Sequence, residues 1–276
     1  MAGTLVFFII RYHLDLTPYM KGELSKVTST PQTTVYDRQS NSEQNQGNPI
    51  ENPKENEFSP SETLEGSYNK PSTPLPTGFV YLSEALPEAK FDVRYSTTHN
   101  FTGQVVDGYL SDNISMTAKA AEALQKASTF LNENGYGLLT YDSYRPKRAV
   151  SFFIEWGEQP ETNLTKAEFY PSFAKKDLFE LGYLARRSAH SRGSTIDLTL
   201  FDLKTSELLD MGSPYDFLGP ISNHATKLIT DTQTKNRNIL KSAMKSAGFK
   251  ELRTEWWHYQ LLDEPFPETY FDFVIE

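Results

Sequence analysis

The run Ser188 to Leu200, SAHSRGSTIDLTL, sets a histidine and an aspartate seven residues apart with a glycine between them. On an uninterrupted strand His190 and Asp197 would face opposite ways, because side chains alternate and seven is odd. The chain must therefore bend, and Arg192-Gly193-Ser194 supplies the bend, Gly193 being free to adopt a positive φ. The β-branched pair Thr195-Ile196 then opens a strand that carries Asp197 back toward His190, so that one imidazole and one carboxylate converge on a cation. A catalytic zinc takes a third protein ligand and keeps a position open for water. EWWHY, Glu255 to Tyr259, is the other place where a histidine stands close to an acid in an aromatic setting, which makes His258 the third ligand and Glu255 the acid that takes the water's proton.

Each residue has a plainer competing role. His13 and His99 read as ordinary surface or turn histidines. His224, in SNHAT, reads as a capping or surface residue at a helix start, with contact to the site from behind its ligands as the alternative. Asp197 sits inside the apolar run TIDLTL, where an unpaired carboxylate would cost several kcal/mol. A metal removes that cost, and an ion pair with Arg192 or Arg187 is the competing account. Trp256 and Trp257 read as core and pocket wall.

Composition excludes several classes. The 276 residues suffice for one good-sized domain or two small ones, and 38% hydrophobic with 13% aromatic residues is enough for a core. A net charge of -9 argues against nucleic acid as a partner. With no cysteine, any zinc site must draw on the five histidines and the acids, and redox chemistry says nothing of the compartment.

The elements that must position these residues begin late in the chain. Leu5 to Ile10, LVFFII, is too short for a spanning helix and reads as the remnant of a signal or anchor, or as a sticky tip. Lys26 to Thr77 is polar and Pro-rich with hardly a large apolar residue, so residues 1–77 are expected to be a disordered arm before a catalytic domain at 78–276. Strands are expected near Gly78 to Pro87, at Phe91 to Tyr95, at Gly137 to Tyr141, at Ile196 to Phe201 and at Trp256 to Leu262. Helices are expected at Ser115 to Asn132, from Pro146 to Trp156 and at Asn236 to Ala247, with one helical turn near Leu178 and a hairpin turn at Lys204 to Glu207. The fold class is α+β: a single domain with a mostly antiparallel central sheet flanked by helices.

Six segments together resemble the VanX-type D-alanyl-D-alanine dipeptidases, zinc peptidases of family M15. They are SAHSRGSTIDLTL, EWWHY, the DSYRP loop, DVRYSTTHNFTG, DMGSPYDF and DEPFPETYFDF, and the likeness covers Gly78 to Glu276. The resemblance implies one zinc held by His190, Asp197 and His258, Glu255 as general base and Arg145 as the stabiliser of the oxyanion, with Asp142 orienting Arg145. It also implies that Tyr95 and Ser188 line the substrate pocket, and Trp257 is taken as a further wall. The substrate so implied is D-Ala-D-Ala, cleaved to two D-alanines in precursor control, glycopeptide resistance or cell-wall salvage. A D,D-carboxypeptidase acting on muropeptides and a non-catalytic cell-wall binding module are the alternatives, and the segment Gly157 to Arg187 is expected to close the pocket behind the amino group. The arm suggests an extracytoplasmic, tethered or secreted protein, where typical members are cytoplasmic.

Overall fold

A computed structural model describes residues 74–162 and 164–276; the apolar run at Leu5, His13 and the arm up to residue 73 lie outside the described residues. The chain enters with β1 (Phe79–Tyr81), makes one helical turn, α1 (Leu82–Ala85), and reaches β2 (Lys90–Phe91). The expected strand at Phe91 to Tyr95 stops after its first residue. Arg94 to Ser96 coil into a 3-10 turn instead, closed by the Ser96 N–H and hydroxyl, which donate to the Val93 carbonyl at 3.2 Å and 2.8 Å. β3 (Ser115–Thr117) pairs antiparallel with β1, Phe79 opposite Thr117. Ser115 is therefore strand and not helix. The helix α2 (Ala118–Glu133) starts three residues later, where the Thr117 hydroxyl caps it by accepting from the Ala120 N–H.

β4 (Tyr136–Asp142), α3 (Lys147–Glu158) and the short α4 (Lys166–Phe169) follow, then β5 (Thr195–Asp202). A 3-10 turn at Lys175 to Asp177 stands close to the helical turn expected near Leu178. Helix α5 (Asp231–Ser246) begins five residues before the expected Asn236. Thr230 and Gln233 form a reciprocal capping box there, a signal that the weakly apolar first turn conceals. β6 (Phe249–Leu252) was not foreseen; it pairs with β7 (Glu255–Leu261) through a tight connection.

β2, β4, β5, β7 and β6 lie side by side in that order. Only the β2–β4 pairing is parallel, so the sheet is mostly antiparallel, as expected. α2 packs on β4 and on α5, and α5 on β6. Ile196, Leu198 and Leu200 of β5 are fully buried, each worth about 1.5–3 kcal/mol in surface removed from water. Asp197 falls between the first two and points to the other side of the sheet. Among the described residues no helix is long and apolar enough to cross a membrane.

Candidate active site

The bend after His190 takes the form its sequence requires. Ala189 to Arg192 make a 3-10 turn whose cap is Ser188, its hydroxyl accepting from the His190 N–H at 3.3 Å. Gly193 closes the turn at φ 77°, where an added Cβ would also meet the Phe79 ring at 2.3 Å, so both conformation and space demand glycine. β5 then carries Asp197 directly opposite His258 on β7. The His190 Nδ1 lies 2.7 Å from the Ser143 carbonyl, which can only accept. The proton therefore sits on Nδ1, and Nε2 keeps its lone pair for a metal.

Three ligand atoms converge. His258 Nδ1 is 3.1 Å from Asp197 Oδ1, His190 Nε2 is 3.4 Å from the same oxygen, and the two nitrogens are 3.2 Å apart. A point equidistant from three atoms so spaced lies about 1.9 Å from each, close to zinc–nitrogen and zinc–oxygen bond lengths of about 2.0–2.2 Å. Asp197 Oδ1 is buried with no hydrogen-bond donor, an arrangement that a metal ion satisfies and an apolar core does not. Burial pushes the Asp197 carboxyl up, and positive charge at the His190 and His258 positions pulls it well below the ordinary range, as a cation held between them would. Burial lowers His258, which keeps it a neutral ligand. The residues present fit a metal of nitrogen and oxygen preference.

Glu255 Oε2 stands 3.6 Å from the His258 Nδ1, beside the cluster. Burial, then the charges of Asp197 and Asp216, push its carboxyl well above the usual range, with Arg145 opposing. Arg145 reaches the site from the loop after β4. Its Nε and Nη2 donate to Asp142 Oδ2, each at 2.9 Å, and Nη2 lies 3.5 Å from Asp197 Oδ2. Arg145, not Arg192 or Arg187, is thus the cation beside Asp197; Arg192 is held by Glu264 at 2.9 Å, and Arg187 stacks over Tyr270 at 4.0 Å. The Arg145 guanidinium also lies 5.0 Å from the Tyr95 ring and 5.4 Å from Phe153. Tyr109 donates to the remaining Asp142 oxygen at 2.7 Å.

Asp142 meets Asp197 only because β4 bulges. Thr140 lies opposite Leu198, Tyr141 is the extra residue, and Asp142 takes the place opposite Asp197. Residues that sequence reasoning passed over complete the wall. Tyr95 donates to Asp216 at 2.8 Å and Tyr215 to Asp197 Oδ2 at 3.3 Å. Asp216 sits at φ 59°, an uncommon conformation for a non-glycine residue, and burial followed by the Asp197 charge pushes its carboxyl up to about 7. Their signal was DMGSPYDF, legible as a motif but not as a pair of site residues. Buried Arg237 of α5 ties this loop down, donating to the carbonyls of Met211 at 2.6 Å and of Ile221 and Asn223 at 3.0 Å.

Trp257 is buried at 1% exposure and packs on the Tyr215 ring at 5.5 Å, so it backs the pocket through Tyr215 and presents little open surface of its own. Ser188 is 7% exposed and adjoins the His190 turn. The segment 157–187 comes within electrostatic reach at Tyr183, whose phenol burial pushes up first and Glu255 second. His224 follows a 3-10 turn (Pro220–Ser222) and stands at no helix start; its ring packs edge-on to Tyr259 at 5.9 Å. His99 pairs with Glu168 at 2.7 Å on the surface, away from the cluster.

A His-Asp-His cluster with a buried acid and an anchored guanidinium beside it places the molecule among the metallohydrolases. More narrowly, residues 76–276 match the family model described as D-ala-D-ala dipeptidase, and the chain belongs to that family. It is 48% identical to the D-alanyl-D-alanine dipeptidase of Enterococcus faecalis over 201 residues, which is 73% of this chain and 100% of that one. It is 47% identical to the Enterococcus faecium D-alanyl-D-alanine dipeptidase over 72% of this chain and 98% of the relative. The Streptomyces coelicolor D-alanyl-D-alanine dipeptidase is 45% identical over 71% and 98%.

Proposed function

We propose that this protein is a zinc-dependent dipeptidase that hydrolyses D-Ala-D-Ala to two D-alanines, with His190, Asp197 and His258 holding the metal. The observation that carries the reading is the triangle of ligand atoms around a donorless Asp197 Oδ1, with Glu255 beside it. Zinc bound there supplies Lewis acidity and brings the pKa of water toward about 7. Glu255, its proton affinity raised by burial, takes the proton of the attacking water and returns it to the leaving amine. Arg145, fixed by Asp142 and stacked against Tyr95, stays charged and offers its free N–H groups to the oxyanion that develops on the scissile carbonyl.

Charge supports a small zwitterionic substrate. Asp142, Asp197, Asp216 and Glu255 crowd the site beside the guanidinium of Arg145, and burial followed by this crowding raises Asp216 and Glu255, a strain that a cation brought beside Asp216 would relieve. The free ammonium of a dipeptide is such a cation, and Asp216, held by Tyr95, is placed to receive it. In this reading Tyr95 and Ser188 line the remaining space, and Trp257 stiffens it from behind Tyr215.

The test is D-alanine release by the zinc-loaded full chain from D-Ala-D-Ala, from N-acetyl-D-Ala-D-Ala and from L-Ala-L-Ala. Turnover of the free D,D-dipeptide alone is expected. Turnover of the acetylated peptide would move the protein to the carboxypeptidases, and silence on all three with zinc bound would defeat the reading.

A further inference from the structure

A cavity of about 440 Å³ adjoins the His190 turn, lined by α3, the segment Arg186 to Ser191 and the C-terminal tail. Its walls include Lys147, Arg186, Arg187, Ser188, Ser191 and Tyr270. In a chain of net charge -9, three cations around one cavity are unexpected, and none of the three forms an ion pair among the described residues. Glu268 also lines the cavity, as a single acid among them. Two of the cations are oriented by aromatic rings. The Arg187 guanidinium stands 4.0 Å over Tyr270 and that of Arg186 5.2 Å over Phe179. Stacking of this kind fixes the plane of the fork and leaves its N–H edge free for a planar or tetrahedral anion.

A second observation points the same way. Ser191 lines the cavity at 1% exposure, and its hydroxyl has no hydrogen-bond partner among the described residues. A buried hydroxyl left unmatched is costly, and an acceptor that reaches it from the cavity side would remove that cost. Three cations against one carboxylate favour an acceptor-only group.

We propose that this cavity is an oxyanion-binding subsite, taking a carboxylate or a phosphate group on Lys147, Arg186, Arg187 and the Ser191 hydroxyl. It uses none of the metal ligands, Glu255 or Arg145. Ser188 lines the cavity and caps the turn that carries His190, so an occupant sits next to that turn.

The experiment is calorimetric titration of the zinc-loaded full chain, at constant ionic strength, with inorganic phosphate and separately with N-acetyl-D-alanine. The same titrations are made on the double variant Lys147→Gln, Arg187→Gln. Both residues are exposed, and circular dichroism verifies the fold. Saturable binding that weakens by about tenfold or more in the variant is expected. If phosphate alone behaves so, the natural occupant is a phosphate; if N-acetyl-D-alanine alone does, it is the carboxylate of a peptide or amino acid. Affinity unchanged by the substitutions would place the anion on the zinc and overturn the subsite, as would the absence of saturable binding for both. Binding is read independently of turnover, so failure of the dipeptidase reading leaves this result interpretable.

Discussion

Asp142 and Asp197 face each other across neighbouring strands, and Arg145 bridges them at 2.9 Å and 3.5 Å. Burial raises the Asp142 carboxyl and Arg145 opposes it, so the pair is held together by the one guanidinium both acids share. Asp142→Asn keeps the shape but removes the charge that aims Arg145. Turnover of D-Ala-D-Ala is expected to fall by about 10–100-fold with zinc content unchanged. Asp142→Ala should lose more, because it also strands the Tyr109 hydroxyl. Steady-state kinetics beside metal analysis would decide; wild-type turnover in Asp142→Asn would contradict the orienting role.

Glu255→Gln should lower turnover by about 10²–10⁴-fold while leaving one zinc bound, since the amide is nearly isosteric and cannot carry the proton. Metal content and turnover measured on the same sample separate this outcome from loss of the metal. A base elsewhere would show itself as turnover near that of the wild type.

Removal of zinc should be felt in stability as well as in activity. The three ligands crowd within 3.1–3.4 Å of one another around an oxygen with no donor, so the metal-free cluster is strained by its own desolvated charge. Dialysis against a chelator is expected to abolish hydrolysis and lower Tm, and added zinc to restore both. In Asp197→Ala zinc should restore neither.

Arg237 anchors the loop that supplies Tyr215 and Asp216. Burial lowers its pKa to about 10, and it remains charged at neutral pH. Arg237→Ala leaves three carbonyls short of a donor, at about 1–3 kcal/mol for each that water cannot reach. A loss of about 3 kcal/mol or more in urea unfolding is expected, and Arg237→Lys should recover only part of it, because an ammonium cannot span the same three acceptors. An unaltered midpoint in Arg237→Ala would refute the anchoring.

His224 makes stability depend on pH. Burial, then Lys241, lowers its pKa to about 4, with Glu251 opposing and Arg237 adding to the effect. The folded protein therefore binds fewer protons than the unfolded chain between about 6.5 and about 4, and stability falls as pH drops through that window. Between pH 7 and pH 5 the loss from this group is about 2 kcal/mol. His224→Gln should flatten the slope of unfolding free energy against pH by that amount, and a slope identical to the wild type would assign the dependence to other groups.

What was legible in the sequence is what local chemistry dictates. The odd spacing of His190 and Asp197 demanded a bend, Gly193 permitted it, and the triad followed with Glu255 three residues from His258. Strands β4, β5 and β7 declared themselves by their apolar residues, each to within two residues of its ends. Tertiary structure alone decided the rest. Ser115 to Thr117 pair with β1 instead of joining the helix, and Tyr95 turned inward on a 3-10 turn closed by Ser96 on the Val93 carbonyl. Asp142 reached Asp197 through a bulge whose extra residue no periodicity marks, and Asp216 became a site residue because buried Arg237 holds its loop. Alternation and turn chemistry act over a few residues and can be read along the chain. Register, burial and shared charge arise between segments far apart in it, and exist only once the sheet has formed.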